Sequence, residues 1–226
     1  MAIATANSTF SRTAVSAPAG KTWAWSGLLT FVLGFAFTWA PVFMGVSESD
    51  QKDPARLMAS LDTTSNLWLG RVSSGVGFLA VAALIVFATG FRRMLRSRMP
   101  ETLVPDVAYG GLLATAGALT VASVFRAMLF DSIDYYDNSV HAMMYALSWD
   151  AALAGWTLGF LAAGASAVAA FRGALPRWFG WTSAVLTGLA ILLALTGLSF
   201  PAHMPVFIWL ICAAIVSIRA SGEAAA

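Results

Sequence analysis

Charged side chains are scarce in this sequence. Only 11% of its 226 residues are Asp, Glu, Lys or Arg, whereas 59% are hydrophobic. A soluble domain carries about a quarter charged residues, so the composition excludes an ordinary water-soluble protein. Cysteine is also nearly absent: Cys212 is the only one, which excludes a disulfide within the chain.

The few charges leave five long uncharged runs: 22–47, 72–91, 107–125, 151–171 and 178–218. Each run approaches or exceeds the roughly 20 residues that cross about 30 Å of hydrocarbon as a helix, and backbone polar groups in lipid must be satisfied within the segment. The last run is long enough for two crossings, with Pro201, His203 and Pro205 at the turn. We therefore predict an all-α integral membrane bundle of six transmembrane helices. Their predicted ranges are about 23–45, 67–91, 107–130, 140–171, 178–199 and 204–218.

The basic residues predict an orientation. Nine of them fall in the tails and in the second and fourth loops, namely Arg12, Lys21, Arg92, Arg93, Arg96, Arg98, Arg172, Arg177 and Arg219. Only Lys52, Arg56, Arg71 and Arg126 fall in or beside the other loops. Because cytoplasmic loops carry the excess of Lys and Arg, we expect a plasma-membrane protein with both termini cytoplasmic. The domain then covers 23–219, between a disordered tail at 1–22 and a short tail at 220–226.

Two segments outside the long runs carry structural signals. Asp53 and Pro54 are a typical helix start, and Leu57, Met58 and Leu61 follow at helical spacing, which predicts a short amphipathic helix on the outer surface. Small residues recur at four-residue spacing in the fourth predicted span, at Gly155, Gly159 and Ala163. Such residues allow close helix packing in lipid, either within the chain or between two copies in a homo-oligomer.

Ionisable residues near the outer ends of the spans are the main candidates for a site. Arg126 and Asp150 each lie in apolar sequence, and a half-buried pair of this kind can bind a carboxylate or support proton transfer. The alternative is a structural ion pair. With the only two histidines, His141 and His203, they form the candidate catalytic set. Arg71, Asp131, Asp134, Asp137 and Trp149 form the candidate binding set.

Asp131, Asp134, Asp137 and His141 follow one another at three- and four-residue steps. This spacing suits a Mg²⁺ or Ca²⁺ site, and a histidine adds affinity for Zn²⁺. It also suits an ordinary solvated loop, which is the interpretation we adopt, so we predict no metal. The two histidines lie near the membrane border, where haem ligation is not expected. We find no phosphate loop, dinucleotide fingerprint or nucleophile elbow, and we predict no cofactor and no nucleic-acid partner.

The segment Gly173–Trp181 reads Gly-Ala-Leu-Pro-Arg-Trp-Phe-Gly-Trp. A short inner loop of the form Gly-x-Leu-Pro-Arg-Trp-x-Gly-Trp entering an apolar helix resembles a family of bacterial, mostly actinobacterial, six-helix membrane proteins grouped under a domain of unknown function. The resemblance covers about two-thirds of the chain. It implies the six-helix fold and carries over no catalytic residues.

These patterns favour a multi-pass membrane protein that acts as an accessory component or binds a lipid or hydrophobic ligand, since its charges lie at the borders of the spans. The alternative is a small membrane enzyme of the isomerase or cyclase type that acts by acid–base chemistry at an outward-facing pocket. A transporter of a small apolar solute is a third hypothesis, weakened because no midplane site is evident.

Overall fold

A computed structural model of the chain describes residues 22–132 and 135–223. These residues form ten helices: α1 (Thr22–Phe43), α2 (Glu48–Gln51), α3 (Pro54–Leu61), α4 (Thr64–Arg98), α5 (Val104–Asp131), α6 (Asn138–Leu158), α7 (Phe160–Phe171), α8 (Arg177–Leu195), α9 (Ser199–Ala202) and α10 (Met204–Glu223). Six segments are long and apolar enough to cross a membrane, with α6 and α7 together making one of them. The predicted all-α bundle of six spans is confirmed.

The helices do not stop where the uncharged runs stop. The second span was predicted at 67–91, but α4 runs from Thr64 to Arg98, because a helix can continue into water with its backbone bonds intact. Likewise α10 continues to Glu223, into the predicted tail at 220–226. The predicted tail at 1–22, apart from Thr22, and the candidate residue Asp134 lie outside the described residues.

The spans pack in a ring that follows the chain. Helix α4 packs against α1 and α5, α5 against α6 and α7, α7 against α8, and α10 against both α8 and α1. Trp156, from α6, and Phe207, from α10, meet in the interior with ring centroids 4.5 Å apart. Helix α8 is the least buried of the six spans.

Large aromatic rings fill the space that glycines leave on neighbouring helices. A Cβ atom at Gly34 of α1 would collide with the Trp156 ring, and one at Gly90 of α4 would collide with the Trp23 ring. Small residues allow helix backbones to approach closely in membranes. Here an aromatic ring of the neighbouring helix occupies the space beside each glycine.

The short helices α2 and α3 close one end of the bundle, which we call the capped end. The side chain of Asp53 accepts hydrogen bonds from the backbone of Ala55 and Arg56 at the start of α3, as the sequence predicts. Leu57, Met58 and Leu61 are buried, however, and pack in one cluster with side chains of α1, α5 and α6, among them Leu129 and Tyr145. The apolar face of α3 therefore covers the bundle instead of lying on the lipid surface.

The other end, which we call the arginine-rich end, contains the ends of α4, α7, α8 and α10. Asp106, in the first turn of α5, forms ion pairs at this end. Arg92 and Arg96 of α4 contact this carboxylate at 2.7 and 2.8 Å. The ion pairs join α4 to α5 where the chain turns back into the membrane.

Candidate functional site

Arg126 of α5 is buried inside the bundle, with 1% of its surface exposed. Its Nε donates to Ser148 Oγ of α6 at 3.2 Å, and its Nη1 donates to the Phe37 carbonyl oxygen of α1. The guanidinium also lies over the Phe37 ring, 4.0 Å from the centroid, a cation–π arrangement. Nη2 has no hydrogen-bond partner among the described residues. Arg126 thus connects three spans.

Pro41 explains why a donor is needed at this point. In an α-helix the N–H of residue 41 would bond to the carbonyl of residue 37, but proline has no N–H. The Phe37 carbonyl of α1 therefore loses its helical partner in the buried interior of the bundle, where an unsatisfied polar group costs several kcal/mol, of order 2–7. Arg126 Nη1 supplies the missing hydrogen bond.

Asp150 does not join Arg126. Among residues 22–132 and 135–223 the two form no ion pair, and Asp150 is exposed on the outer face of α6. The reason is helical phase: Ser148 faces Arg126, and residues two apart on a helix point in nearly opposite directions. The ion pair hypothesised from the sequence is not formed.

Each of the two histidines lies at the end of a helix. The His141 ring is buried, with Nε2 3.0 Å from the Ser132 carbonyl and Nδ1 3.2 Å from the Asp137 carbonyl. These contacts connect the start of α6 to the end of α5. His203, between α9 and α10, is buried beside the rings of Trp39 and Phe207, at centroid distances of 6.5 and 5.6 Å. The structure does not gather the predicted catalytic residues around one cavity.

Two members of the predicted binding set do meet. Arg71 Nε at the start of α4 lies 3.5 Å from Asp131 Oδ1 at the end of α5, and both side chains are more than half exposed. Arg71 also donates to the Phe130 carbonyl at 3.3 Å, one of the carbonyls that an α-helix leaves free in its last turn. The pair marks the capped end of the α4–α5 contact.

Asp137 and Trp149 are the other described residues of the predicted binding set. Asp137 occupies the N-cap position of α6 without a side-chain capping bond, and Trp149 is half-buried in α6. Within the described part of the chain no three His, Cys, Asp or Glu side chains are grouped closely enough to hold a metal ion. Because Asp134 lies outside that part, the absence of a metal stays a prediction.

The small residues of α6 and α7 pack within the chain. A Cβ atom at Gly155 would lie 2.7 Å from the Ala118 side chain of α5, and one at Gly159 would press on Val206 of α10. Ala163 is buried as well. These three residues are therefore packed within the bundle, and the homo-oligomer stays a prediction.

A groove of about 400 Å³ runs along the α4–α5 contact towards the Arg71–Asp131 pair. It is lined by Phe78, Val124, Ala127, Met128, Asp131, Ser132, Tyr135 and Tyr136. Its walls are apolar along the spans and polar at the capped end. The groove is not among the predictions made from the sequence, although Val124, Met128 and Asp131 recur at the spacing of one helix face.

The Arg126–Pro41 relation was also missed, and here the sequence held a usable signal. A proline inside a predicted span frees a specific carbonyl, and a buried donor must then be sought at the same depth on another span.

Comparison with protein-family models, with curated proteins and with solved structures finds no match for this chain. The resemblance to the actinobacterial six-helix family therefore stays a prediction.

Proposed function

We propose that this multi-pass membrane protein is a non-catalytic component that holds a membrane lipid in the groove between α4 and α5. The observation that carries the proposal is the groove itself, with apolar walls along the spans and a polar border at the capped end. A ligand with a hydrocarbon tail and a polar head matches this division.

The walls of the groove suit an acyl chain. Phe78 of α4 and Val124 and Met128 of α5 are large apolar side chains with exposed surface. Val124 and Asp131 are seven residues apart on one helix, which corresponds to about 10 Å along its axis. An acyl chain lying against these walls brings its head group level with Asp131.

The polar border suits a head group with both charges. Asp131 can accept from an ammonium group, and Arg71, 3.5 Å away, can donate to a phosphate. The exposed rings of Tyr135 and Tyr136 stand beside them, as aromatic residues do at membrane borders. A phospholipid that carries a phosphate and an ammonium group fits best.

The enzyme hypothesis needs Arg126, Asp150, His141 and His203 to act on one substrate. These side chains have separate surroundings: Arg126 contacts Phe37 and Ser148, Asp150 is exposed, and each histidine lies at a different helix junction. The transporter hypothesis needs a site that both sides of the membrane can reach. The groove offers an opening along the lipid instead, which favours binding.

Filling the groove tests the proposal. Ala127→Trp places a large ring on a lining position, so this variant should lose the lipid that the wild-type protein retains. The measurement is native mass spectrometry of protein released into mild detergent from bilayers of equal parts phosphatidylethanolamine and phosphatidylglycerol. We expect wild-type protein to retain phosphatidylethanolamine, and Ala127→Trp to retain several-fold less of it.

Ala154→Trp is the matched control, because Ala154 is exposed on α6 and does not line the groove. Both variants should unfold at wild-type temperature. Equal retention of phosphatidylethanolamine by the two tryptophan variants would reject the groove as the binding place. If Ala127→Trp lowered the retention of phosphatidylglycerol as much as that of phosphatidylethanolamine, the preference of the groove for a zwitterionic head group would be rejected.

We further propose that the protein lies in the plasma membrane with its arginine-rich end and both termini in the cytoplasm, since the basic residues collect at that end. Cys212 is the only cysteine, so a Cys212→Ala background permits single-site labelling. On intact cells a membrane-impermeant maleimide should label Ser49→Cys, at the capped end, and should label Ser97→Cys only after the cells are opened. The reverse pattern would invert the orientation.

A further inference from the structure

A second pocket, of about 200 Å³, opens at the arginine-rich end between α4, α8 and α10. Its lining consists of Arg98, Pro176, Trp178, Val216, Arg219 and Ala220. We propose that this pocket binds the anionic head group of a phospholipid, and that it does so independently of the α4–α5 groove.

Arg98 is held in position by the protein. It is the last residue of α4, and its Nη1 donates to the Ala174 carbonyl in the turn between α7 and α8, at 2.9 Å. A guanidinium group has five N–H donors, so this one bond leaves the others for a ligand. The bond to Ala174 also limits the conformational freedom that the side chain loses on binding.

Arg219 brings a second guanidinium to the same pocket from α10. Among the side chains that the structure describes, neither Arg98 nor Arg219 forms an ion pair, whereas Arg92 and Arg96 of the same end are paired with Asp106. Two cations that share a pocket and are not neutralised by a described carboxylate attract a phosphodiester, which can accept from both guanidinium groups.

The remaining lining points to a lipid instead of free phosphate. Val216 is buried, Ala220 lies one turn further along α10, and the Trp178 ring is half-exposed at the start of α8. Tryptophan at this level marks the membrane border, so an acyl chain can continue from the pocket into the bilayer. Basic pockets between spans on the cytoplasmic side bind anionic head groups in this way.

The charge of the pocket selects among phospholipids. Two arginines oppose an ammonium group, so a head that carries both charges is disfavoured relative to one with a net negative charge. The lining at the arginine-rich end therefore has the opposite preference from the Arg71–Asp131 border at the capped end, where one charge of each sign is present. Phosphatidylglycerol is the simplest probe for the pocket.

A pair of double variants tests the assignment. Arg98→Gln with Arg219→Gln removes both cations of the pocket. Arg93→Gln with Arg177→Gln removes the same charge from the same end, at exposed positions that do not line the pocket. Retention of phosphatidylglycerol is measured by native mass spectrometry after release from mixed bilayers, and thermal unfolding checks that both variants fold.

The wild-type protein and the Arg93/Arg177 variant should retain phosphatidylglycerol. The Arg98/Arg219 variant should retain at least about tenfold less of it, because two charge-assisted contacts are lost. Equal losses in the two double variants would overturn the proposal, because the effect would then belong to the general basic charge of this end. Unchanged retention in both would overturn it as well. Displacement of the lipid by millimolar inorganic phosphate would show that the pocket recognises phosphate without preference for the lipid, and it would also overturn the proposal.

Failure here and failure of the proposed function can be told apart. The Ala127→Trp variant should keep phosphatidylglycerol at the arginine-rich end, and the Arg98/Arg219 variant should keep phosphatidylethanolamine in the α4–α5 groove. Each pair of variants changes one site and leaves the other as its internal reference.

Discussion

Replacing Arg126 with methionine is expected to lower the free energy of unfolding by about 2 kcal/mol. Methionine keeps an unbranched apolar side chain, although a shorter one, and leaves the Phe37 carbonyl and the Ser148 hydroxyl without the guanidinium. An orphaned buried acceptor costs about 1–3 kcal/mol. Removing a buried charge recovers part of its desolvation cost, which is why the expected loss is smaller than the sum of two lost hydrogen bonds. Unfolding by SDS in mixed micelles gives the free energy.

The physical reason is tested by changing Pro41. In a Pro41→Ala background the N–H of residue 41 can bond to the Phe37 carbonyl, so this oxygen no longer depends on Arg126. The cost of Arg126→Met should then fall by about 1 kcal/mol or more, measured as the coupling energy of a double-mutant cycle. A coupling energy near zero would show that Arg126 stabilises the bundle by other contacts.

Arg126→Lys separates charge from shape. Lysine keeps a positive charge and can donate to one acceptor, but it has no planar fork that reaches Phe37 and Ser148 together. Its stability should lie between those of the wild-type protein and Arg126→Met.

The exposed Arg71 is the comparison outside the core. Arg71→Met loses a half-exposed ion pair with Asp131, and such pairs contribute about 0–1 kcal/mol to the free energy of unfolding.

The six spans are predictable because the bilayer imposes one strong rule. A segment that crosses it must be apolar and about 20 residues long, and the uncharged runs report this directly. The same rule explains the error in α4. Arg92 and Arg93 mark the predicted end of the apolar span, but the helix continues as far as Arg98. The first charged residue after an apolar run therefore does not locate the helix terminus.

The partners of polar side chains follow a weaker rule, since they depend on which face of each helix meets its neighbour. Ser148 and Asp150 are two residues apart and have opposite surroundings, and only the helix packing decides that Ser148 is the one that meets Arg126. His141 shows the same limit, because its acceptors belong to a turn whose path depends on tertiary structure. Asp53 could be predicted because its capping contacts are local.

Gly34→Val is the second substitution expected to have a large effect. The position lies on α1 against the Trp156 ring of α6, and an added Cβ would collide with the benzene part of that ring. Trp156 cannot easily move away. Its Nε1 donates to Thr38 Oγ1 at 2.9 Å, and its ring meets Phe207 with a centroid distance of 4.5 Å.

Overpacking of a fixed core position costs about 1–3 kcal/mol, and we expect Gly34→Val to lie at the upper end because α1, α6 and α10 meet at this ring. Gly117→Val on α5 is the matched control. It makes the same substitution within a span, but a Cβ atom there has no neighbour within 4 Å. Its effect on the free energy of unfolding should stay below about 1 kcal/mol, in the range of ordinary surface and helix-propensity effects.

A smaller ring on α6 should relieve the collision. Trp156→Phe removes the indole N–H and therefore the bond to Thr38, so it is destabilising by itself. It also frees space in front of Gly34, so Gly34→Val should cost less in the Trp156→Phe background than in the wild-type protein. If the cost is the same in both backgrounds, the ring of Trp156 does not limit how closely α1 and α6 approach. If it falls, then a glycine and a tryptophan on two different spans together set the distance between α1 and α6.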